Sequence, residues 1–216
     1  MTSRTCSIVR AAVLRAAALL GLGAAPAALA QAYPAKTLRI LVGFAPGGAM
    51  DIVARTVGQK MAPSLGQAVV IENKPGAASN IAIRQLIESP PDGYTVMLVA
   101  NGLTANPLLY TQQPFDPNTD VTPISLVARL PVVIAANPKS EVSSLAKLVE
   151  ISKAKPGSLN YGSPGNGSTP HLAVELFARG AGIQLTHIPY KGGKPAIADV
   201  LGGQLPLVAV NAVEGQ

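Results

Sequence analysis

The 216-residue sequence is poor in several residue types on which whole protein classes depend. It has one cysteine, Cys6, no tryptophan, and an aromatic share of 4%. One cysteine closes no internal disulfide. Scarce aromatics exclude the stacking platforms on which proteins hold single-stranded nucleic acid. No apolar run past residue 30 approaches the roughly 18 residues a membrane-crossing helix needs. There are two histidines, His171 and His187, far apart in sequence, so no zinc or other metal site is expected. Phosphate signatures are missing too. Lys191-Gly192-Gly193-Lys194 lacks the spacing and the Ser/Thr of a P-loop, and no G-x-G-x-x-G follows the first strand. No nucleotide or other cofactor is expected.

The first fifteen residues carry Arg4, Arg10 and Arg15 and no acid. A small apolar run follows from Ala16 to Gly23, then two small-x-small sites, Ala28-Leu29-Ala30 and Ala30-Gln31-Ala32. This order predicts a secretory signal peptide over residues 1–32. Cys6 precedes the apolar run, so it is not placed for lipid attachment, and its removal leaves a mature chain without thiol chemistry. Of 17 basic residues three leave with the signal, which leaves 14 against 11 acids, a net charge of +3. So mild a charge suits a small anionic ligand and falls far short of a nucleic-acid footprint.

What the sequence does have begins at Leu38-Arg39-Ile40-Leu41-Val42-Gly43-Phe44, a buried strand by its branched apolar content. Ala45-Pro46-Gly47-Gly48 then breaks regular structure. After it Val53, Val57, Met61 and Leu65 recur at four-residue steps and predict a helix face. A strand running through a Gly-rich turn into a helix aims N–H groups and a positive dipole end at whatever lies above the strand. The same turn follows the first strand of many α/β proteins that bind nothing there.

Strands at 67–72 and 94–99 and a helix over Ile81 to Ile87 complete a β-α-β-α-β unit, which favours a parallel sheet. Asn73 to Gly76 reads as a turn. Asn101-Gly102 ends the third strand in a small polar loop, followed by a short helical piece around 106–110. Residues 112–122 read as loop. Ile124 to Ala136 is a long apolar run in which Pro131 predicts two strands joined by a kink. A second cycle comes next, with a helix capped by Ser143 or Ser144, a strand at 159–162 and a Gly/Ser loop to Thr169. Thr169 then caps a helix from Pro170 to about Arg179. A strand at 185–189, a helix at 195–201 and a strand at 205–210 close the second α/β unit.

The loop Gly162 to Thr169 repeats the design of the first turn. Ser163, Ser168 and Thr169 add hydroxyls that donate to a carboxylate, although Thr169 as a cap needs no ligand. Asp51 at a helix start is either a dipole-compensating acid or an acceptor for a ligand amine. Tyr190-Lys191 offers a phenol and a charge in another strand-to-helix loop. His171 and His187 read as polar or packed groups. Ser163 is not in a G-x-S-x-G elbow, because Tyr161 holds the first glycine position.

Several segments in order resemble the substrate-binding proteins of the tripartite tricarboxylate transporter family, the Bug receptors. They include Phe44-Ala45-Pro46-Gly47-Gly48-Ala49-Met50-Asp51, Glu72-Asn73-Lys74-Pro75-Gly76, Pro91-Asp92-Gly93-Tyr94-Thr95, Asn106-Pro107-Leu108-Leu109-Tyr110, Gly165-Asn166-Gly167-Ser168-Thr169 and Pro189-Tyr190-Lys191-Gly192. The resemblance spans the mature chain. It implies an α/β fold with mostly parallel sheets in a two-lobe, Venus-flytrap architecture. Lobe I would span 33–130 and lobe II 131–216. It also implies periplasmic location, a monomer without enzymatic activity, capture of a small di- or tricarboxylate-like organic acid, and delivery to two membrane permease subunits. Carried over, one side of the cleft is Phe44, Gly47, Gly48, Met50 and Asp51. The other is Ser163, Gly167, Ser168 and Thr169, with Asn101 and Gly102 beside them.

The sequence departs from the family pattern in places. Met50 stands where the family usually has Thr. Ala77-Ala78-Ser79 stands where more glycine is usual. Val210-Asn211 replaces an Asp-Asn pair, so an acid able to meet a ligand amine is missing there. Family members continue further and return to complete the first lobe, so the sequence reads as truncated with lobe I incomplete. Two other functions compete: a remnant that binds nothing, and an α/β hydrolase-like enzyme using Ser168 with His171, which requires an acid beside that histidine.

Overall fold

A computed structural model describes residues 32–109 and 115–215. The predicted signal peptide lies, to residue 31, outside the described residues. A compact unit begins at Lys36 and holds every element described below residue 216.

Strands β1 (Leu38–Val42), β2 (Val69–Asn73) and β3 (Thr95–Leu98) form a parallel sheet in the order β2-β1-β3. The central β1 buries Leu38, Ile40, Leu41 and Val42, which explains its nearly unbroken apolar run. Arg39 is accommodated by a two-pronged pair with Glu72, at 2.7 and 2.8 Å. Helix α1 (Ala49–Leu65) follows the Gly-rich turn, α2 (Asn80–Ile87) follows a tight turn at Ala77–Ser79, and α3 (Gly102–Leu109) follows β3.

The buried line of α1 is not the predicted one. Ala49, Ala54 and Gly58 are buried, whereas Val53, Val57, Met61 and Leu65 are half-buried. Small residues let the helix lie close on the sheet: a Cβ on Gly58 would stand 3.1 Å from Val69 Cγ1. The larger side chains therefore sit beside the contact and line cavities of about 370 and 400 Å³.

The second sheet holds β4 (Val132–Ala136), β5 (Asn160–Ser163), β6 (Thr186–Pro189) and β7 (Leu207–Asn211) in the order β4-β7-β5-β6. Only β4 runs antiparallel, against β7. Alternate residues of β7 serve two cores. Leu207 and Ala209 pack with α4 (Leu145–Ala154) and α5 (Thr169–Ala181), while Val208 and Val210 pack with α6 (Gly193–Leu201).

Three local expectations are corrected. Residues 124–130 form no strand: they pair with no neighbour among the described residues, and Ile124 and Leu126 are exposed. Pairing starts only beyond Pro131, whose carbonyl accepts from Ala212 N–H at 2.9 Å. The cap of α5 is Ser168 rather than Thr169, because the Ser168 hydroxyl accepts from His171 N–H and the Thr169 hydroxyl is engaged elsewhere. That helix also passes Gly180 and stops at Gly182, which adopts the left-handed conformation of a helix end.

Candidate functional site

The loops at the carboxyl ends of the two sheets face one another. This is where parallel α/β sheets place ligands. Direct contacts join the two sides. Ala45 N–H donates to Lys191 O at 3.2 Å. Asn101 is a double clasp: its amide donates to Gly167 O at 3.1 Å, and its carbonyl accepts from the Thr169 hydroxyl at 2.6 Å. Between the sides lie cavities, two of which share Phe44 and Pro164 as walls, while the cavity of about 400 Å³ beside α1 also reaches Asn101, Thr169 and Asn211. The wider of those two, about 240 Å³, is lined by Gly43, Phe44 and Gly76 to Ala78 from one side and by Pro164 to Asn166 and Pro189 to Lys191 from the other. The narrower, about 30 Å³, lies among Gly48, Ala49, Met50, Ser168, Thr169, Gly193, Asn211 and Glu214.

The predicted residues divide accordingly. Phe44, Gly48, Met50, Ser168 and Thr169 line the narrow cavity, and Phe44 the wide one as well. Gly47, Asp51, Gly102, Ser163 and Gly167 stand behind these walls, and Asn101 spans them. Asp51 is buried and accepts from Gly47 N–H and Arg55 Nε, both at 2.9 Å, which fixes the Gly-rich turn. Burial pushes its carboxyl up, but hydrogen bonds from Arg55, Gly47 and Asn73 outweigh that and hold it below the usual carboxylate range. Gly102 has no room for a side chain: a Cβ would meet Ala78 O at 3.0 Å.

The loop after β5 rests on a buried polar cluster. Ser163 is fully buried, accepts from Gly165 N–H at 3.1 Å, and shares a 2.6 Å hydrogen bond with His187 Nε2. Gly167 N–H donates to His171 Nδ1 at 3.1 Å, which requires a lone pair on that nitrogen. The two imidazoles stack at 4.1 Å, with the Tyr161 ring 5.0 Å from His187. Burial pulls the His171 imidazole below its ordinary value. Burial, with His171 adjacent, pulls His187 down to about 4. Burial and the 2.8 Å bond to Glu175 push the Tyr161 phenol well up. Tyr190 is raised to about 12, by burial and then by its hydrogen bond to Asp199.

This is not the geometry of the enzyme alternative. An acid does approach His171, with Glu175 4.0 Å from Nε2. The Ser168 hydroxyl, however, accepts a main-chain N–H at 3.4 Å as a helix cap, and Nδ1 of His171 is taken by Gly167. Among the described residues the serine on an imidazole is Ser163, which is wholly buried.

The sequence predicts no more than a turn around residue 76, yet residues 76–78 wall the wide cavity. Their position at the carboxyl end of a parallel strand is the signal that points to this role. Ala77, Ala78 and Ser79 take left-handed φ angles of 46°, 50° and 76°. Such a conformation costs about 1–2 kcal/mol per non-glycine residue and persists where surroundings impose it. Here Asn106 imposes it, donating to Ala78 O at 2.8 Å and to Asn80 Oδ1 at 2.7 Å. Ala78→Gly is therefore expected to raise stability by about 1 kcal/mol, relief of strain outweighing the added freedom of the unfolded chain. Urea unfolding midpoints test this; an unchanged or lower midpoint would refute the strain.

Two α/β lobes meeting over a cleft walled by strand-end loops and helix N-termini define a periplasmic-binding-protein fold. The chain belongs to the tripartite tricarboxylate transporter family of receptors, whose model matches residues 53–214. Protein BugT of Bordetella pertussis is 37% identical over 187 residues, covering 84% of this chain and 56% of that protein. Among solved structures, R. palustris Rpa4515 with adipate is 34% identical with a TM-score of 0.82, covering 85% of this chain and 62% of that one. MatC from Rhodopseudomonas palustris with bound malate is 26% identical with a TM-score of 0.76, covering 85% and 63%. The chain thus spans about three-fifths of the length of the relatives it matches.

Proposed function

We propose that the protein is a periplasmic receptor whose lobes, near residues 33–130 and 131–216, capture a small organic carboxylate between them. It would hand that ligand to membrane permease subunits without transforming it. The observation that carries this reading is the wide cavity of about 240 Å³ between facing strand-end loops. It has the scale of a small acid rather than of a drug-sized ligand, which needs about 300–1,000 Å³. Its walls combine glycine and alanine main chain, which offers N–H donors to a carboxylate, with the side chains of Phe44, Asn166, Tyr190 and Lys191. Relatives solved with adipate and with malate support the ligand class.

Thermal unfolding with a panel of mono-, di- and tricarboxylates tests the proposal. An acid at about 100 times its dissociation constant stabilises a fold by about 2.7 kcal/mol, a rise of roughly 5–10 °C for a chain of this size. Thr169→Val, which removes the hydroxyl clasped by Asn101, is expected to weaken that acid about 5- to 10-fold, the value of one hydrogen bond. A folded chain whose melting temperature moves with no acid in the panel refutes the receptor function.

A further inference from the structure

Glu214 fills the narrow end of the cleft. It lies in the short turn Ala212–Gly215 after β7 and is 3% exposed. Its Oε2 accepts from Asn211 N–H at 3.0 Å, and Oε1 accepts no hydrogen bond among the described residues. Oε1 lies where a Cβ on Gly193 would overlap it, and a Cβ on Gly48 would stand 3.3 Å away. Gly48 precedes α1 of the first lobe and Gly193 opens α6 of the second; neither helix has a side-chain cap. The carboxylate thus stands beside the N-terminus of α6 and the residue before α1, whose first turn already holds Asp51. Among the described residues no cation pairs with it, since Lys194 Nζ donates instead to Glu214 main-chain O at 3.0 Å.

We propose that Glu214 is a resident anion that restricts the receptor to monocarboxylates. The inference rests on the proposed carboxylate-receptor function. A ligand carboxylate enters the wide compartment. The adjoining compartment of about 30 Å³ has room for about one water molecule. A second carboxylate reaching past Phe44 and Pro164 meets the carboxylate of Glu214, a like charge at close range.

Calorimetry with butyrate and succinate, equal in carbon number, tests this on the unaltered chain, on Glu214→Gln and on Gly193→Ala. The unaltered chain is expected to bind butyrate about tenfold or more tighter than succinate, a difference of about 1.4 kcal/mol. Glu214→Gln keeps the volume and removes the charge. It should strengthen succinate about tenfold and leave butyrate within about threefold. Gly193→Ala, whose Cβ displaces Oε1, should move the ratio the same way with Glu214 intact. A preference of the unaltered chain for succinate overturns the inference, as does a ratio that Glu214→Gln leaves unchanged. Binding of both acids only by the altered chains would make Glu214 a plug and also overturns it. Binding of neither acid by any of the three overturns the inference, whereas the receptor reading falls only when no acid of the wider panel stabilises the chain.

Discussion

Gly43→Ala is expected to lower stability by about 3 kcal/mol, the upper end of what one added carbon costs in a filled interior. Gly43 directly follows the central strand. A Cβ there would overlap the Cβ and Oγ of Ser79 and stand 2.8 Å from its Cα. Neither partner can retreat cheaply. β1 is hydrogen-bonded on both edges, and Ser79 is buried in a strained loop, its N–H on Gly76 O at 3.0 Å and its hydroxyl on Gly43 O at 3.3 Å. Because both residues wall or support the wide cavity, ligand binding should fall with stability. Gly180→Ala is the matched control: its Cβ meets nothing within 4 Å, and in a helix it should be neutral or stabilising by about 1 kcal/mol. Urea unfolding of both variants measures the difference, and equal midpoints would contradict the close approach.

Stability is expected to fall by roughly 2 kcal/mol between pH 7 and pH 4.5. The folded protein holds the His187 imidazole down to about 4 and His171 also below its ordinary value, chiefly by burial. The unfolded chain therefore binds more protons in this window, and stability rises with pH there. The contribution is complete above about pH 7 and is lost as pH falls from about 6.5 toward 4. The magnitude is set below the full linkage value because both rings keep partial access to solvent. Asp51 and Glu72, both held below the usual carboxylate range, add their loss at lower pH still. His187→Phe keeps the stack and removes the titration, so the slope between pH 6.5 and 4.5 should shrink by more than half. An unchanged slope would refute the assignment. Ligand binding should decline over the same range, since protonated His171 can no longer accept from Gly167 N–H, which positions the loop before Thr169.

Much of the fold was readable from order along the chain. β1 was legible because its apolar run is continuous and bounded by a Pro-Gly-Gly turn. The α/β alternation was legible because strand and helix periods are local. The family was legible through short segments in register. The walls of the narrow cavity were legible where a strand ran into a small-residue loop, as at Phe44, Gly48 and Met50 and at Ser168 and Thr169. It was not legible where two neighbours compete for one role. Ser168 and Thr169 both suit a cap, and only the distant Asn101 decides which hydroxyl is free to span the cleft. Val57 and Met61 look like a core face, and only the close seat of Ala54 and Gly58 on the sheet displaces them to its margin.

Sequence by itself pointed to a signal peptide and to two small-residue loops at strand ends, and it determined the two α/β units. Each of these depends on composition or spacing within a few residues. Tertiary structure alone decided that Ser163 bonds to His187, that the loop from Ala77 to Ser79 borders the cavity under the hold of Asn106, and that an acid occupies the narrow end of the cleft after all. Val210 packs in the core against α6, and the acid in the cleft is Glu214 from the next turn. These groups are far apart in sequence or face directions that local pattern does not specify. Their meeting depends on how two sheets twist and close on each other, a property of packing rather than of any stretch of the chain.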